Sequence, residues 1–580
     1  MYKHPDVFSS GSLHSNMAEN TDTDIQANSS VSDYFKDPHQ WTYRCEGSWT
    51  IVVSLNKLKT VLRLRKHEKK NSLKLKDERK YEQEMLRNLD FAKSVMLPLM
   101  GGHYVHLGKA ISVPEDFTLA MNEICRGSRP EHRLNKEIDE GCHAGVLMPD
   151  LCFLPSLPQA VSTEENYIYS MKTMNPTFSV EIKPKCGFLP TSPFIDPTRA
   201  IKYSVCSYCM LQKTKVKEGK HNRESSYCPL DLFSGEPRRV MYALECLVCD
   251  PQNNFRVFRD GSGMFSEELA QRAIQNGRAC CSQNYFEITL QEMKVFREWV
   301  NAPSHKCGDG VTTKCEKSED MDGVTTEGQK EDGVTKESDI HGNDTTREDH
   351  KCCFVGPFTH KFLEILLRIL ISDSKSNQIH QNKVSMSSTA TMCKKSKYLD
   401  CNNGIQSQLN CLQFGKGGVL QQLLSVQKLD DNDVEGIHPL YKNVISHFEC
   451  NPGLRNSLGV DGPYTLPLWK TVASSLETNN SKPPDNIQML NADLNDPNNL
   501  YDAVVKTCKF AVASTAKDCS LMLAFQKTLK KETRLPTVEM ACGDLYHYNI
   551  DLVDLDPKEF DRVGKYYKDT VKTVEIFLEQ

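Results

Sequence analysis

The run Ser179-Val-Glu-Ile-Lys-Pro-Lys-Cys-Gly-Phe-Leu-Pro190 constrains this chain more than any other stretch. Val180, Ile182 and the residues before them read as a buried strand. Side chains two apart in a strand point the same way, so the strand is expected to end by presenting Lys183 and Lys185 on one face. Pro184 between them stiffens the exit. Two cations fixed on one rigid edge make a clamp for a polyanion.

The rest of the chain limits what that polyanion can be. With 71 Lys and Arg against 76 Asp and Glu, the net charge is −5. A protein that coats RNA or DNA needs a large basic excess, so direct nucleic-acid binding is not expected. A local basic pocket for a small anion remains compatible with this balance. The 39 % hydrophobic content is low for one compact globule of 580 residues, so part of the chain is expected to stay unpacked. The N-terminus lacks an apolar core of the secretory kind. The most apolar helix, around Phe362–Ile371, is short and carries Glu364 and Arg368, which makes it a core helix rather than a membrane span. The expectation is a monomer inside the cell, cytoplasmic and/or nuclear, with no membrane partner.

Composition divides the chain. Residues 1–35 are polar and aperiodic and read as a disordered tail. Residues 36–165 read as a strand-rich first lobe, with a hairpin from Thr50–Ser54 and Thr60–Arg65 followed by a charged helix from about Glu78 to Val95. Residues 166–303 begin a larger lobe. Residues 304–350 hold an imperfect repeat, Asp309-Gly-Val-Thr, Asp322-Gly-Val-Thr and Asp332-Gly-Val-Thr, too polar and uneven for a solenoid and lacking the alternating carboxylates of a calcium loop. They read as an acidic, disordered insertion. Residues 351–580 complete the larger lobe, with 372–410 as a polar, flexible loop.

Cysteine is abundant, at 23, and no secretory signal accompanies it, so free thiols are expected. Two Cys-x-x-Cys pairs, Cys206/Cys209 and Cys246/Cys249, could supply four thiolates to zinc. The 36 residues between them (210–245) exceed the usual ribbon spacing, and both pairs sit in apolar surroundings. They read as buried structural cysteines, and zinc is not expected.

Near the C-terminus, Asp518 stands before the apolar run Leu521–Phe525, and Asp554 ends the strand-like Tyr548–Leu555. Carboxylates at the mouths of paired strands suit phosphoryl transfer: one orients the attacking hydroxyl and the other holds magnesium. They also suit plain turn capping. With Pro557 in the first turn of a helix, Lys558, Arg562 and Tyr566 follow at i, i+4 and i+8, one face of that helix. That stripe reads either as a ligand for phosphates or as a solvated face.

These segments resemble one family. Glu181–Lys185 (EIKPK), Ala516–Ser520 (AKDCS), Asp554–Leu555, Pro251–Phe258 and Tyr227–Gly235 are similar, in order, to segments of the inositol-pentakisphosphate 2-kinases. The resemblance covers most of residues 41–300 and 415–580. It implies an α+β, two-lobed kinase-like fold with ATP between a strand-rich N-lobe and a larger mixed C-lobe. It implies transfer of the ATP γ-phosphoryl to the 2-hydroxyl of inositol 1,3,4,5,6-pentakisphosphate. Asp518 is implied as the general base. Lys183, Lys185, Lys215, Asn254, Lys558, Arg562 and Tyr566 are implied for the inositol phosphate. Gly47, Arg63, Glu181, Lys183, Asn253, Arg256 and Asp554 are implied for the nucleotide, with Asp554 on Mg2+. The Tyr227–Gly235 segment reads as structural.

The chain also departs from the pattern. Where the family has Gly-Glu-Gly over the nucleotide, this chain has Arg44-Cys-Glu-Gly-Ser-Trp49, and Cys45 and Trp49 add bulk. Arg65 is a fallback for Arg63. A family histidine falls on Leu211. His143 matches one ligand of a zinc site known in some members, but Cys450 has no partner cysteine nearby. The altered loop leaves a rival reading, a catalytically weak or inactive scaffold that holds inositol phosphates. Retention of both aspartates opposes it. A protein kinase is disfavoured, since no His-Arg-Asp or Asp-Phe-Gly triplet occurs.

Overall fold

A computed structural model describes residues 34–68, 78–139, 141, 143–155, 175–301, 355–372, 393–395, 418–477, 492–529 and 535–579. The tail up to residue 33, the acidic insertion and most of 372–410 lie outside the described residues. Tyr34 and Phe35, expected to be part of the tail, instead pack into the first lobe. Trp41 Nε1 donates to the Tyr34 carbonyl at 2.9 Å, and Tyr34 is buried.

The fold is α+β, with two antiparallel sheets. In the N-lobe, β1 (Thr42–Glu46), β2 (Thr50–Leu55), β3 (Thr60–Glu68), β6 (Ala144–Pro149) and β4 (Lys109–Ser112) lie side by side in that order. The short β5 (Lys136–Ile138) pairs with the far end of β3. The expected hairpin is present, with Thr50 opposite Arg65 and Leu55 opposite Thr60. One face of β3 is buried at every second residue, as a half-covered strand requires. The expected charged helix is α1 (Glu78–Phe91), prolonged by a π-helical turn over Ala92–Met96. The amphipathic α2 (Glu115–Arg126) was not anticipated. Its Phe117, Met121 and Cys125 complete the N-lobe core with Trp41, Ile51 and Leu62.

The C-lobe sheet runs β11 (Thr537–Glu539), β12 (Leu545–Val553), β10 (Ser520–Thr528), β7 (Phe178–Ile182), β8 (Phe255–Arg259) and β9 (Ser262–Phe265). Its centre is β10, buried from Ser520 through Phe525, which explains why that strand reads as an unbroken apolar run. Helices pack around this sheet: α3 (Ser207–Lys217), α4 (Pro237–Cys249), α5 (Pro357–Ser372), α6 (Val419–Gln427), α7 (Asp433–Cys450), α8 (Pro497–Asp518) and α9 (Val563–Leu578). The apolar α5 carries Phe362, Leu366 and Ile369 into that core. Among the described residues no helix is long and apolar enough to cross a membrane.

Register places the chemistry. Leu521 pairs with Ile182, Ser520 with Val553, and Ile182 with Phe255. Because all three pairings are antiparallel, β10 and β8 begin where β7 and β12 end. Asp518, Lys183, Asp554 and Asn253 therefore emerge at one edge of four adjacent strands, although they are scattered over more than 350 residues of sequence.

Candidate active site

The edge opens into a cleft of about 2000 Å³, lined by Lys185, Lys215, Asn253, Asp518, Lys558 and Tyr566 among others. Asp518 closes α8 immediately before β10, so its carboxylate stands at a helix end. Lys558 Nζ lies 2.7 Å from Asp518 Oδ2, and Lys185 Nζ lies 3.5 Å from Oδ1. Partial burial pushes the Asp518 carboxyl upward, but Lys558 and then Lys185 outweigh it and hold the group below the usual carboxylate range. Asp554 follows β12, and Lys183 Nζ approaches its Oδ2 at 3.3 Å. Burial works to lower the Lys183 ammonium, yet Asp554 and Glu181 raise it overall, so it stays charged. Lys185 and Lys215 go the other way. Burial lowers both, helped by Lys183 at the first and by Lys185 at the second.

Cations that would meet an anionic ligand thus rest on the site's own carboxylates. These pairs are partly solvated: Asp518 and Asp554 side chains are 55 % and 51 % exposed. Exposed pairs contribute little and exchange readily for better partners.

The two lysines do not share a strand face as expected. The strand ends at Ile182. Lys183 bonds through its N–H to the Asn254 carbonyl at 2.9 Å, and Lys185 takes a left-handed backbone, φ 63°. That conformation costs a β-carbon residue of the order of 1–3 kcal/mol and persists only where the surroundings dictate it. They do so through Gln427, fully buried at the end of α6. Its amide donates to the Lys185 carbonyl at 2.9 Å and to the Ala516 carbonyl at 3.1 Å, and its oxygen accepts from the Gly187 N–H at 2.9 Å. Tyr227, also fully buried, donates its hydroxyl to the Pro184 carbonyl at 2.8 Å. Asp554 is left-handed too, φ 62°. Sequence reading missed Gln427 and Tyr227 as positioning residues. A glutamine on an apolar helix was the only signal for the first.

The Lys558, Arg562, Tyr566 stripe is not one helix. Lys558 lies in irregular chain after Pro557, Arg562 ends a short 3-10 turn (Phe560–Arg562), and only Tyr566 belongs to α9. Lys558 reaches Asp518 because the segment is not helical there. Arg562 is exposed and bonds Glu559 at 3.2 Å. Tyr566 lines the cleft, and burial raises its phenol. Asn253 is exposed in the cleft, whereas Asn254 is buried and donates to the Tyr208 hydroxyl at 2.8 Å, so its side chain faces the protein. Leu211, at the position of the family histidine, is 38 % exposed in the cleft wall.

Toward the N-lobe, Arg256 of β8 sits 3.8 Å from Glu181, which accepts from Ser520 Oγ at 2.9 Å. Arg63 of β3 spans the cleft to Asp556 at 3.3 Å. The fallback Arg65 turns away, bonding Glu84 at 2.9 Å and stacking on Tyr81. The loop joining β1 and β2 is held by an ion cluster. Glu46 accepts two bonds from Arg129, at 3.0 and 2.9 Å, and one from Lys66, whose Nζ also donates to the Gly47 carbonyl at 2.6 Å. Glu46 and Lys66 side chains are 1 % and 0 % exposed. Trp49 points outward, with Lys136 Nζ 3.2 Å from its ring centre. Its bulk therefore stays out of the cleft. Gly47 has an ordinary backbone and room for a β-carbon. Cys45 faces Glu181, Arg256 and Asp554, and burial pushes its thiol up to about 12.

The cysteines group differently from the expected pairs. Cys206 and Cys209 meet Cys228 and Cys393 rather than Cys246 and Cys249. Cys228 belongs to the Tyr227–Gly235 segment, and Cys393 to the polar stretch read as a loop.

Comparison with known proteins bears on this arrangement. The profile of the inositol-pentakisphosphate 2-kinase family matches residues 43–572. An inositol-pentakisphosphate 2-kinase of Danio rerio is 30 % identical over 550 residues, covering 93 % of this chain and 94 % of the relative. That of Arabidopsis thaliana is 33 % identical over 252 residues, 39 % of this chain and 53 % of the relative. That of Oryza sativa subsp. indica is 25 % identical over 493 residues, 84 % and 77 %. With the match running through both sheets and every segment that builds the cleft, the chain belongs to the inositol-pentakisphosphate 2-kinase family.

Proposed function

We propose that this chain transfers the γ-phosphoryl of ATP to the 2-hydroxyl of inositol 1,3,4,5,6-pentakisphosphate, giving inositol hexakisphosphate and ADP. One observation carries the reading: Asp518 and Asp554 lie at one sheet edge, Asp518 paired with Lys558 and Lys185 and Asp554 paired with Lys183, and Asp518, Lys185 and Lys558 line the cleft. The substrate carries roughly 8–10 negative charges at neutral pH, from five phosphates of about −1.5 to −2 each. Lys185, Lys215, Lys558 and Tyr566 line the cleft, and Arg562 lies exposed between the last two in sequence. The substrate's phosphates displace the Lys558 and Lys185 ammoniums from Asp518. The freed carboxylate then accepts the proton of the 2-hydroxyl as that oxygen attacks the γ-phosphorus and the bond to the ADP oxygen breaks. The transition state is loose, so positioning and charge neutralisation supply most of the rate.

Lys183, Arg256 and Arg63 screen the nucleotide phosphates from the N-lobe side, under the loop anchored by Glu46. Asp554, a half-exposed carboxylate, is a hard oxygen donor of the kind Mg2+ takes, and the ion would neutralise charge on the β- and γ-phosphates. We place the lobe boundary near residues 165–166, between β6 and β7, and the protein in the cytoplasm and/or nucleus as a monomer.

The test is incubation of the purified chain with ATP, Mg2+ and the pentakisphosphate, with products separated by anion exchange. A more strongly retained species carrying one added phosphate, with equimolar ADP, is expected. ATP hydrolysis without that species, or no turnover with both ligands bound, would leave only a receptor.

A further inference from the structure

The general base stands where a helix does not favour it. Asp518 is the last residue of α8, which is 22 residues long. Unpaired carbonyls leave a partial negative charge at that end, and a carboxylate there is repelled. The final turn therefore needs support from outside the helix. Thr515 Oγ1 donates to the Asp556 carbonyl at 3.1 Å, and the Ala516 carbonyl accepts from Gln427. Lys517 Nζ lies 2.6 Å from Asp430 Oδ2. Gln427 and Asp430 belong to one tight stretch at the end of α6, closed by the Asp430 N–H on the Gln427 carbonyl at 3.3 Å.

The Lys517–Asp430 pair differs from the pairs that Asp518 makes. Its two side chains are 22 % and 6 % exposed, whereas that of Asp518 is 55 % exposed. Asp430 Oδ1 is buried without a hydrogen bond among the described residues, so that carboxylate relies on Lys517. Burial works to lower the Lys517 ammonium, but Asp430 outweighs it and the group stays charged. Neighbours on a helix point apart, so Lys517 does not face Asp518. Its ammonium lies instead 5.2 Å from the ring centre of Phe188, in the turn that follows Lys185. The pair thereby touches both the end of α8 and the lysine turn.

We propose that Lys517 and Asp430 are positioning residues for the transfer: their ion pair clamps the last turn of α8 and aims the Asp518 carboxylate at the 2-hydroxyl. The inference rests on the reading of Asp518 as the general base. The rival role for Lys517, which borders the cleft, is one more cation for the substrate. Its commitment to Asp430 opposes that role, because the phosphates would have to leave a buried carboxylate unpaired. Misplacing a reacting group by about 1 Å lowers a rate by about a hundredfold, so the clamp acts on turnover rather than on affinity.

The experiment is steady-state kinetics and thermal unfolding of the full-length chain carrying Lys517→Met, Lys517→Met with Asp430→Asn, Lys517→Arg or Asp518→Asn. Lys517→Met keeps an apolar stem on Phe188 and removes the charge. Its kcat should fall by about tenfold to a hundredfold, with both KM values within about twofold of the unaltered chain. Its Tm should fall as well, because Asp430 is stranded. The double variant strands no charge, so its Tm should recover while its kcat stays low. Lys517→Arg should restore most of the rate. Recovery of kcat along with Tm in the double variant would leave the pair a structural role only and overturn the proposal. A raised KM for the inositol phosphate at full kcat would make Lys517 a substrate contact and overturn it too. Should Lys517→Met not fold, the double variant still decides. A full rate in Lys517→Met beside a dead Asp518→Asn sinks this inference alone, whereas a full rate in Asp518→Asn sinks the reading of the base and this inference with it.

Discussion

Two groups of opposite charges lie on either side of the cleft, and water separates their roles. On the C-lobe edge, Asp518 and Asp554, themselves half exposed, hold the more buried Lys558, Lys185 and Lys183. In the N-lobe, Glu46 holds Lys66 and Arg129 in a cluster that is sealed. The chemistry is the same, but the energetics differ. Solvated pairs are worth little and give way to a ligand of higher charge. A buried pair cannot be dissolved without stranding a charge, so it acts as a fixed strut. The first group is a resting state for a binding site. The second is a mount for the loop joining β1 and β2.

The largest way to break this contrast is to remove a buried partner. Lys66→Met strands part of the Glu46 charge and frees the Gly47 carbonyl, and should cost about 3 kcal/mol of stability. Chemical denaturation would read it, with a higher KM for ATP in the surviving fold. A loss within 0.5 kcal/mol would mean the cluster is not a strut.

Next comes Lys558→Ala combined with Arg562→Ala. Charge-assisted bonds contribute about 1.5–3 kcal/mol each, so the KM for the inositol phosphate should rise at least tenfold, and that for ATP much less. Stability should change little, because Arg562 and the Asp518 carboxylate that pairs with Lys558 are both about half exposed. Equal effects on both substrates would show that the segment is no substrate clamp.

Gln427→Leu probes the support beneath the exposed edge. It leaves the Lys185 carbonyl, the Ala516 carbonyl and the Gly187 N–H without that partner, at a cost of about 1–3 kcal/mol for each one that finds no other partner. The rate should fall with the lysine turn, and Gln427→Glu should restore less than half of it, since a carboxylate cannot donate to either carbonyl.

The smallest effect is a titration. Burial pushes Glu46 upward, but hydrogen bonds from Arg129 and Lys66 outweigh it and hold the carboxyl below its usual range. A depressed folded pKa stabilises above the unfolded value and loses that contribution as pH falls through the folded value. The gap in Tm between the unaltered chain and Glu46→Gln should therefore be constant above about pH 4.5 and close below it. A gap that widens in acid would contradict the sign.

How much of this could be read from residues alone follows from sequence distance. Asp518, Asp554 and Lys183 were legible because each sits at the end of a short apolar strand, and strand ends are local signals. Their convergence needed only antiparallel register. The Lys558 stripe was misread because the helix was taken to begin at Pro557, whereas it begins at Val563 after a 3-10 turn. Lys185 was assigned to a strand face, but its left-handed backbone is imposed by Gln427, about 240 residues away. Cys393 lay in a polar stretch, and only the fold brings it to Cys206. The Glu46 cluster was hidden for the same reason, since Arg129 is 83 residues from its partner. Contacts of that range leave no periodic trace.

The central claim is that Asp518 does chemistry while the surrounding cations do binding. Asp518→Asn separates these most directly, with calorimetric titration of the pentakisphosphate beside product formation followed by anion exchange. Turnover lowered by about a thousandfold or more, with affinity unchanged or tighter because Lys558 and Lys185 are released, is the predicted result. Turnover within tenfold of the unaltered chain, or binding lost along with it, would contradict the account.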